Sequence, residues 1–237
     1  TLTAGSGDIT FDGIVGGAQN GTLGAVTINA ADNVTLGNAF SAASFSQAIA
    51  GAGTFQLDGT LTTSTGAITI NSNAVDLNAS ITANGSGQAI SVTGSTDLGG
   101  DVTSNAGDIA FSSPITLSGS ARSISTGSSS AGDITFSDAI NGAQALTLAA
   151  GTGDVIFQSG ADVGTAAAGS ELASLTISGK NITLRNVTTS GAQSYTASGV
   201  IDTNSTYPSA GGAITFAGDT VINDALTIDT TNGGAVA

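Results

Sequence analysis

Short alternations of apolar and polar residues recur along the whole chain, each opened by a glycine. The recurring phrase is Gly, then Asp or Ala, then Ile or Val, one residue that is usually small, then a large apolar residue. It reads Gly7-Asp8-Ile9-Thr10-Phe11, Gly24-Ala25-Val26-Thr27-Ile28, Gly66-Ala67-Ile68-Thr69-Ile70 and Gly107-Asp108-Ile109-Ala110-Phe111. It returns as Gly132-Asp133-Ile134-Thr135-Phe136, Gly153-Asp154-Val155-Ile156-Phe157 and Gly212-Ala213-Ile214-Thr215-Phe216, and begins again at Gly234-Ala235-Val236. The glycine intervals are 17, 42, 41, 25, 21, 59 and 22 residues. Taken as eleven periods they give about 20.6 residues per repeat, within the range of solenoid proteins.

Each period holds a second beat. After Phe136 come Ala139-Ile140, the turn Asn141-Gly142, then Ala145-Leu146-Thr147-Leu148 before Gly153 restarts the phrase. Alternation over four or five residues between Gly, Asn, Asp and Ser predicts short strands, and the period of two and the frequent glycine disfavour helix. Ala166 to Leu172 is the one stretch read as a helical turn or a bulging loop. Strands that return in the same order without hairpins predict an all-β parallel solenoid, with each strand paired to its counterpart one coil away. The expectation is about 11 coils of about 21 residues, one continuous segment over 1–237, some ~53 Å long at ~4.8 Å per coil.

The alternation also sorts side chains by face. Ile9, Ile109, Ile134, Val155 and Ile214 are expected inside with Phe11, Phe111, Phe136, Phe157 and Phe216, while Thr10, Thr135 and Thr215 point out. Phe111, Phe136 and Phe157 fall in consecutive coils, which predicts an internal aromatic ladder beside Ile109, Ile134 and Val155. Thr1 to Gly7 matches Thr147 to Gly153 in register and Val236 matches Ile9, so both ends cut a coil in mid-period. A window on a longer array is the expectation.

Composition narrows the chemistry. The 237 residues include 35 Gly and no Cys, Met, Trp or His, which excludes thiolate zinc sites, disulfides and His-dependent triads. Ile, Val, Leu and Phe make up 54 residues of the chain, enough with positive hydropathy to separate it from disordered sequences. Three basic against 17 acidic side chains give a net charge of −14. Nucleic acid and anionic headgroups are thereby repelled, and no apolar run reaches the ~18 residues of a membrane span.

Asp8, Asp108, Asp133 and Asp154 occupy the slot after the phrase glycine. Two readings stand: the carboxylates cap backbone N–H groups at the coil corner, or Asp108, Asp133 and Asp154 hold a row of calcium ions. Ala25, Ala67 and Ala213 in the same slot count against calcium, as does the absence of the tandem nonapeptide of calcium-binding β-rolls. Thr10, Thr27, Thr69, Thr135, Thr215, Thr147, Thr176, Thr183 and Thr227 are read as outward, either as good half-exposed strand residues or as an ice-binding hydroxyl ladder. A polysaccharide-cleaving β-helix would need paired acids such as Asp97 and Asp101 or Asp219 and Asp224; no such enzyme is expected here, since near pairs arise by chance among this many Asp. Glu171, with Lys180 nearby, is read as part of a solvated loop. Tyr195 and Tyr207 lie in the least regular stretch, Gly191 to Gly211, as loop packing or as an exposed contact.

The phrases Ala131-Gly132-Asp133-Ile134-Thr135-Phe136, Gly142-Ala143-Gln144-Ala145-Leu146-Thr147-Leu148 and Gly151-Thr152-Gly153-Asp154-Val155-Ile156-Phe157 resemble the β-strand repeats of filamentous-haemagglutinin-like bacterial exoproteins. The resemblance covers nearly the whole chain. It implies a right-handed parallel β-helix, secretion to the bacterial cell surface, and a stalk or extracellular fibre working in attachment. Its expected partners are other protein segments, copies of itself, or a host, cell or polysaccharide surface. It implies no catalytic residues and no cofactor.

Overall fold

A three- or five-residue strand cannot bury an apolar side by itself, but strands stacked on their own repeats form a continuous core. The computed structural model describes all residues except 18–20, 22, 48–50, 128, 130, 166–168, 204–205, 224, 231–235 and 237. It is a right-handed parallel β-helix of about ten turns with ~21-residue spacing, with no helix among the described residues. One coil runs through Ile109–Phe111, Ile115–Leu117 and Arg122–Ser125, and the next through Ile134–Phe136, Ile140–Asn141 and Ala145–Ala149. Each strand pairs in parallel with the same strand of the neighbouring coil. The rod therefore has three faces, named here in the order in which the chain visits them.

The first face carries the column Ile68, Ile90, Ile109, Ile134, Val155, Ile182 and Ile201. The second carries Ile9, Val34, Phe55 and Val75, and later Ile115, Ile140, Val163 and Val187. On the third, Phe40, Leu61, Ile81, Val102, Ile124, Leu148, Ile177, Tyr195 and Phe216 align. Apart from Ile9 and Phe216, which are partly buried, these residues are buried in one cluster that runs the length of the rod. Burying each such side chain contributes about 1.5–3 kcal/mol, which offsets the ordering of a glycine-rich chain.

Aromatic rings fill the core in separate groups. Phe111, Phe136 and Phe157 stand in register on the first face with centroids 5.9 and 5.2 Å apart and planes tilted by 12° and 20°. Towards the N-terminus, Phe11, Phe40, Phe45 and Phe55 meet edge to face across all three faces. Tyr195 stacks on Phe216 at 5.0 Å, and Tyr207 meets both edge-on.

The recurring phrase does not keep to one face, contrary to the sequence reading. Ile9 of the first phrase pairs with Val34 on the second face, whereas Ile109, Ile134 and Val155 share the first face and Ile214 pairs with Gln193 on the third. The 17- and 59-residue glycine intervals therefore span non-integral numbers of coils, which is why about ten turns replace the eleven periods. The physical reason is that a glycine followed two residues later by an inward apolar residue is accepted at each of the three corners, as at Gly7, Gly132 and Gly212. Of the last repeat, Gly234 and Ala235 lie outside the described residues, while Val236 bridges to Ile214 on the third face.

That demand is visible at Gly132 and Gly153. A Cβ on Gly132 would lie 2.4 Å from the Gly107 carbonyl oxygen, and one on Gly153 2.1 Å from that of Gly132. Neighbouring coils approach closely enough there to leave room for hydrogen alone. Where a strand bends between the first and second faces instead of breaking, as in Ile90–Leu98, Gly94 takes φ 130° and lies against the Ser72 carbonyl.

Candidate functional site

The corners show what the Asp slot does. The backbone N–H of Asp133 donates to Asp108 Oδ1 at 2.9 Å, that of Asp154 to Asp133 Oδ1 at 2.8 Å, and that of Asn181 to Asp154 Oδ1 at 3.0 Å. Asn181 also donates its Nδ2 to Asp154 Oδ1 at 2.9 Å and accepts the Val200 N–H on its own Oδ1 at 3.0 Å. The result is a directional ladder: each acidic or amide side chain accepts from the coil that follows it. Among the described residues, no group of three or more acidic side chains gathers where it would hold a metal.

Asp8 is not part of this ladder, because it opens the second face. There it accepts the N–H of Asn33 at 3.1 Å and its Nδ2 at 2.8 Å, and Asn33 Oδ1 accepts the Thr54 N–H at 2.8 Å. Farther along that corner Asn186 Nδ2 donates to Asp162 and Asn186 Oδ1 accepts from Thr206. Asp101 does the same at the third corner, accepting the Ser123 N–H at 2.9 Å. One chemical device thus serves all three corners, and Asn33, Asn181 and Asn186 each follow an Asp one coil before them. An amide both donates back to that carboxylate and accepts from the coil ahead, without adding another like charge to the row.

Buried hydroxyls close the other side of the first corner. Thr63 and Thr126 donate to the carbonyls of Gly66 and Gly132 at 2.7 and 2.9 Å, and Ser104 donates to Gly107 in the same way. Arg122 folds back on the preceding turn, with Nε and Nη2 donating to the Ser118 carbonyl at 3.0 and 2.9 Å.

Of the two acid pairs weighed for catalysis, the coil separates Asp97 from Asp101. Asp97 points outward from the second face, where Ser118 Oγ donates to it, and Asp101 lies at the third corner. Asp219 pairs with Val200 on the first face, and Asp224 lies outside the described residues. Glu171 is half-buried and Lys180 exposed; residues 166–168 of the neighbouring loop lie outside the described residues. Around Leu2, Phe11, Val15, Leu23 and Phe40 there is an apolar cavity of about 360 Å³.

Tyr195 and Tyr207 are buried, so neither is the exposed contact that the irregular sequence around them left open. Tyr195 OH donates to Gln193 Oε1 at 2.8 Å, and Gln193 Nε2 donates to Thr189 Oγ1 and the Pro208 carbonyl at 3.1 and 2.9 Å. Burial, reinforced by the charge Tyr207 would carry on ionising, holds the Tyr195 phenol well above its ordinary pKa. Sequence reasoning missed this network; the signal was a Gln at an inward position two residues before an inward Tyr.

The outward threonines do not form one ladder. Thr27, Thr69, Thr135 and Thr183 lie along the first face, Thr10 on the second and Thr227 at its corner, and Thr147, Thr176 and Thr215 on the third. The third face gathers many more hydroxyls than the phrases reveal, from Thr62, Thr82 and Thr103 among others.

Comparison with protein-family models, with curated proteins and with solved structures finds no match.

Proposed function

We propose that this chain is a structural segment of a secreted bacterial surface protein, a β-helical stalk or fibre of the filamentous-haemagglutinin-like kind, and that it works by spanning distance rather than by catalysis. The observation that carries the reading is how the polar side chains are used. At each corner Asp and Asn accept hydrogen bonds from the next coil, and one apolar cluster runs the length of the rod. Such a molecule converts sequence length into rigid axial length, about 48 Å for ten turns at ~4.8 Å each. The acidic surface keeps like rods apart in solution.

The test is cellular. Antibody raised against this chain should label intact, unpermeabilised cells of the source bacterium, and deletion of the gene should reduce attachment to surfaces or to other cells. Labelling only after permeabilisation, with attachment unchanged in the deletion strain, overturns the proposal.

A further inference from the structure

Asn84 is used differently from the asparagines of the corner ladders. Asn33, Asn181 and Asn186 give their side-chain nitrogens to Asp carboxylates, and each precedes a β-branched residue. Asn84 is exposed and precedes Gly85, and its side-chain amide makes no hydrogen bond among the described residues. Its backbone also leaves the ladder. Pairing with the preceding coil stops at Thr63 with Ala83; with the following coil it reaches Ser104 with Ala83 and resumes only at Asn105 with Ser86. Asn84 and Gly85 therefore form a bulge at the corner between the third and first faces.

The fold requires glycine after Asn84, because a Cβ at Gly85 would lie 2.9 Å from the backbone carbons of Thr65. The same glycine leaves the main-chain nitrogen next to an idle amide with no side chain to obstruct their approach. Asn141 also precedes a glycine and supplies the contrast. It pairs in register with Thr116, its Oδ1 is buried, and the Gly142 N–H donates to the Ser170 carbonyl at 3.3 Å. The ladder thus holds one Asn-Gly pair and releases the other; Asn20 and Asn232, which precede glycines too, lie outside the described residues.

We propose that Asn84 is a self-modification site, which deamidates in the folded chain to isoaspartate. The Gly85 nitrogen bonds to Asn84 Cγ and gives up its proton; the Cγ–Nδ2 bond breaks, and ammonia leaves with that proton as a cyclic imide closes. Water is the only other reactant, and nothing is oxidised or reduced. Water can open the imide at either carbonyl, and Asn105 selects one of them. Its Nδ2 donates to the Asn84 main-chain carbonyl at 3.0 Å, where a fixed donor stabilises the negative charge that develops as water adds. Breaking that carbonyl's bond to the Gly85 nitrogen routes the main chain through Cγ. The old carbonyl becomes a free carboxylate, which Asn105 holds by a charge-assisted hydrogen bond. The product adds a methylene to the main chain and a negative charge to the coil before that of Asp108, and it accumulates with the age of the molecule. This inference does not depend on the stalk reading, because it concerns the chemistry of one corner.

The experiment is ageing of the folded 237-residue chain in warm, mildly alkaline buffer, followed by peptide mapping with electron-transfer fragmentation, which tells aspartate from isoaspartate. In the folded chain Asn84 should convert at least about tenfold faster than Asn141, which must wait for local opening of its strand. In urea the two should convert at like rates. The isoaspartate share of the product at Asn84 should be higher in the folded chain than in urea, and Asn105→Ala should bring it down to the urea value. The proposal is overturned if folded Asn84 converts no faster than Asn141, or more than about a hundredfold more slowly than it does in urea. It is equally overturned if the isoaspartate share is the same folded and unfolded, or is unchanged in Asn105→Ala.

Discussion

Phe136 sits in the middle of a three-ring stack, fully buried, with a ring above at 5.9 Å and one below at 5.2 Å. Phe136→Ala removes both contacts and leaves a void that adjacent coils cannot close, since their backbones are already in ladder contact. Truncating a buried Phe to Ala costs about 3–5 kcal/mol, of which the two ring pairs account for roughly 1–3. For a chain of this size that lowers the melting temperature by about 6–20 °C. The position of the break matters as much as its size. In a solenoid each coil contacts only its neighbours, so weakening one interface uncouples the coils before it from those after it. The chain contains two tyrosines and no tryptophan, and Tyr195 and Tyr207 both lie on the C-terminal side of the stack. Tyrosine emission therefore reports that half alone, while far-ultraviolet circular dichroism reports every strand. In urea the two signals should coincide for the wild type and separate for Phe136→Ala. Phe136→Leu, which fills part of the void but loses both ring pairs, should cost less than Phe136→Ala, about 1–3 kcal/mol. A Phe136→Ala variant that unfolds at the wild-type midpoint, as an outward Thr135→Ala should, refutes the reasoning.

Three further outcomes follow from the corners and the buried phenol. Gly132→Ala, whose Cβ would meet the Gly107 carbonyl at 2.4 Å, should lose about 1–3 kcal/mol in chemical denaturation, while Gly13→Ala, with open space around it, should be neutral or slightly stabilising. Asp133→Ala leaves the Asp154 N–H without its acceptor and should cost about 1–3 kcal/mol; Asp133→Asn should retain most of that, and the corner-cap reading expects identical melting curves in calcium and in chelator. The Tyr195 phenol is raised above 10.0 in the folded chain. Its contribution is therefore complete below the unfolded pKa and is lost as pH climbs past it. Alkaline titration followed by phenolate absorbance should show Tyr195 ionising together with loss of the circular dichroism signal, and a Tyr195→Phe variant should unfold at higher pH.

The architecture was legible because the repeat encodes it twice, in the glycine corner and in the two-residue alternation that follows. Ile109, Ile134 and Val155 with Phe111, Phe136 and Phe157 could be placed from spacing alone, since three successive phrases fall on the same face. The face itself was not legible. Gly212-Ala213-Ile214-Thr215-Phe216 and Gly132-Asp133-Ile134-Thr135-Phe136 read alike, yet one serves the third corner and the other the first, because both corners ask the chain for the same thing. This ambiguity scattered the outward threonines and hid the further hydroxyls of the third face. Thr62, Thr82 and Thr103 follow no phrase glycine, and only the pairing of Leu61, Ile81 and Val102 aligns them. Tyr195 and Tyr207 looked peripheral because Gly191 to Gly211 breaks the beat. Their hydroxyl groups need polar company inside the core, and Gln193 supplies it for Tyr195 at the expense of regular alternation.

A coil of ~21 residues adds ~4.8 Å to the rod, yet the same residues drawn straight reach about 70 Å. Under tension applied at its two ends the molecule therefore carries a large reserve of hidden length. Peeling one terminal coil lengthens the tether by about 65 Å and leaves the remaining stack intact, because no coil depends on any beyond its neighbours. A load on the proposed stalk would then be met by extension in discrete steps, each dissipating work.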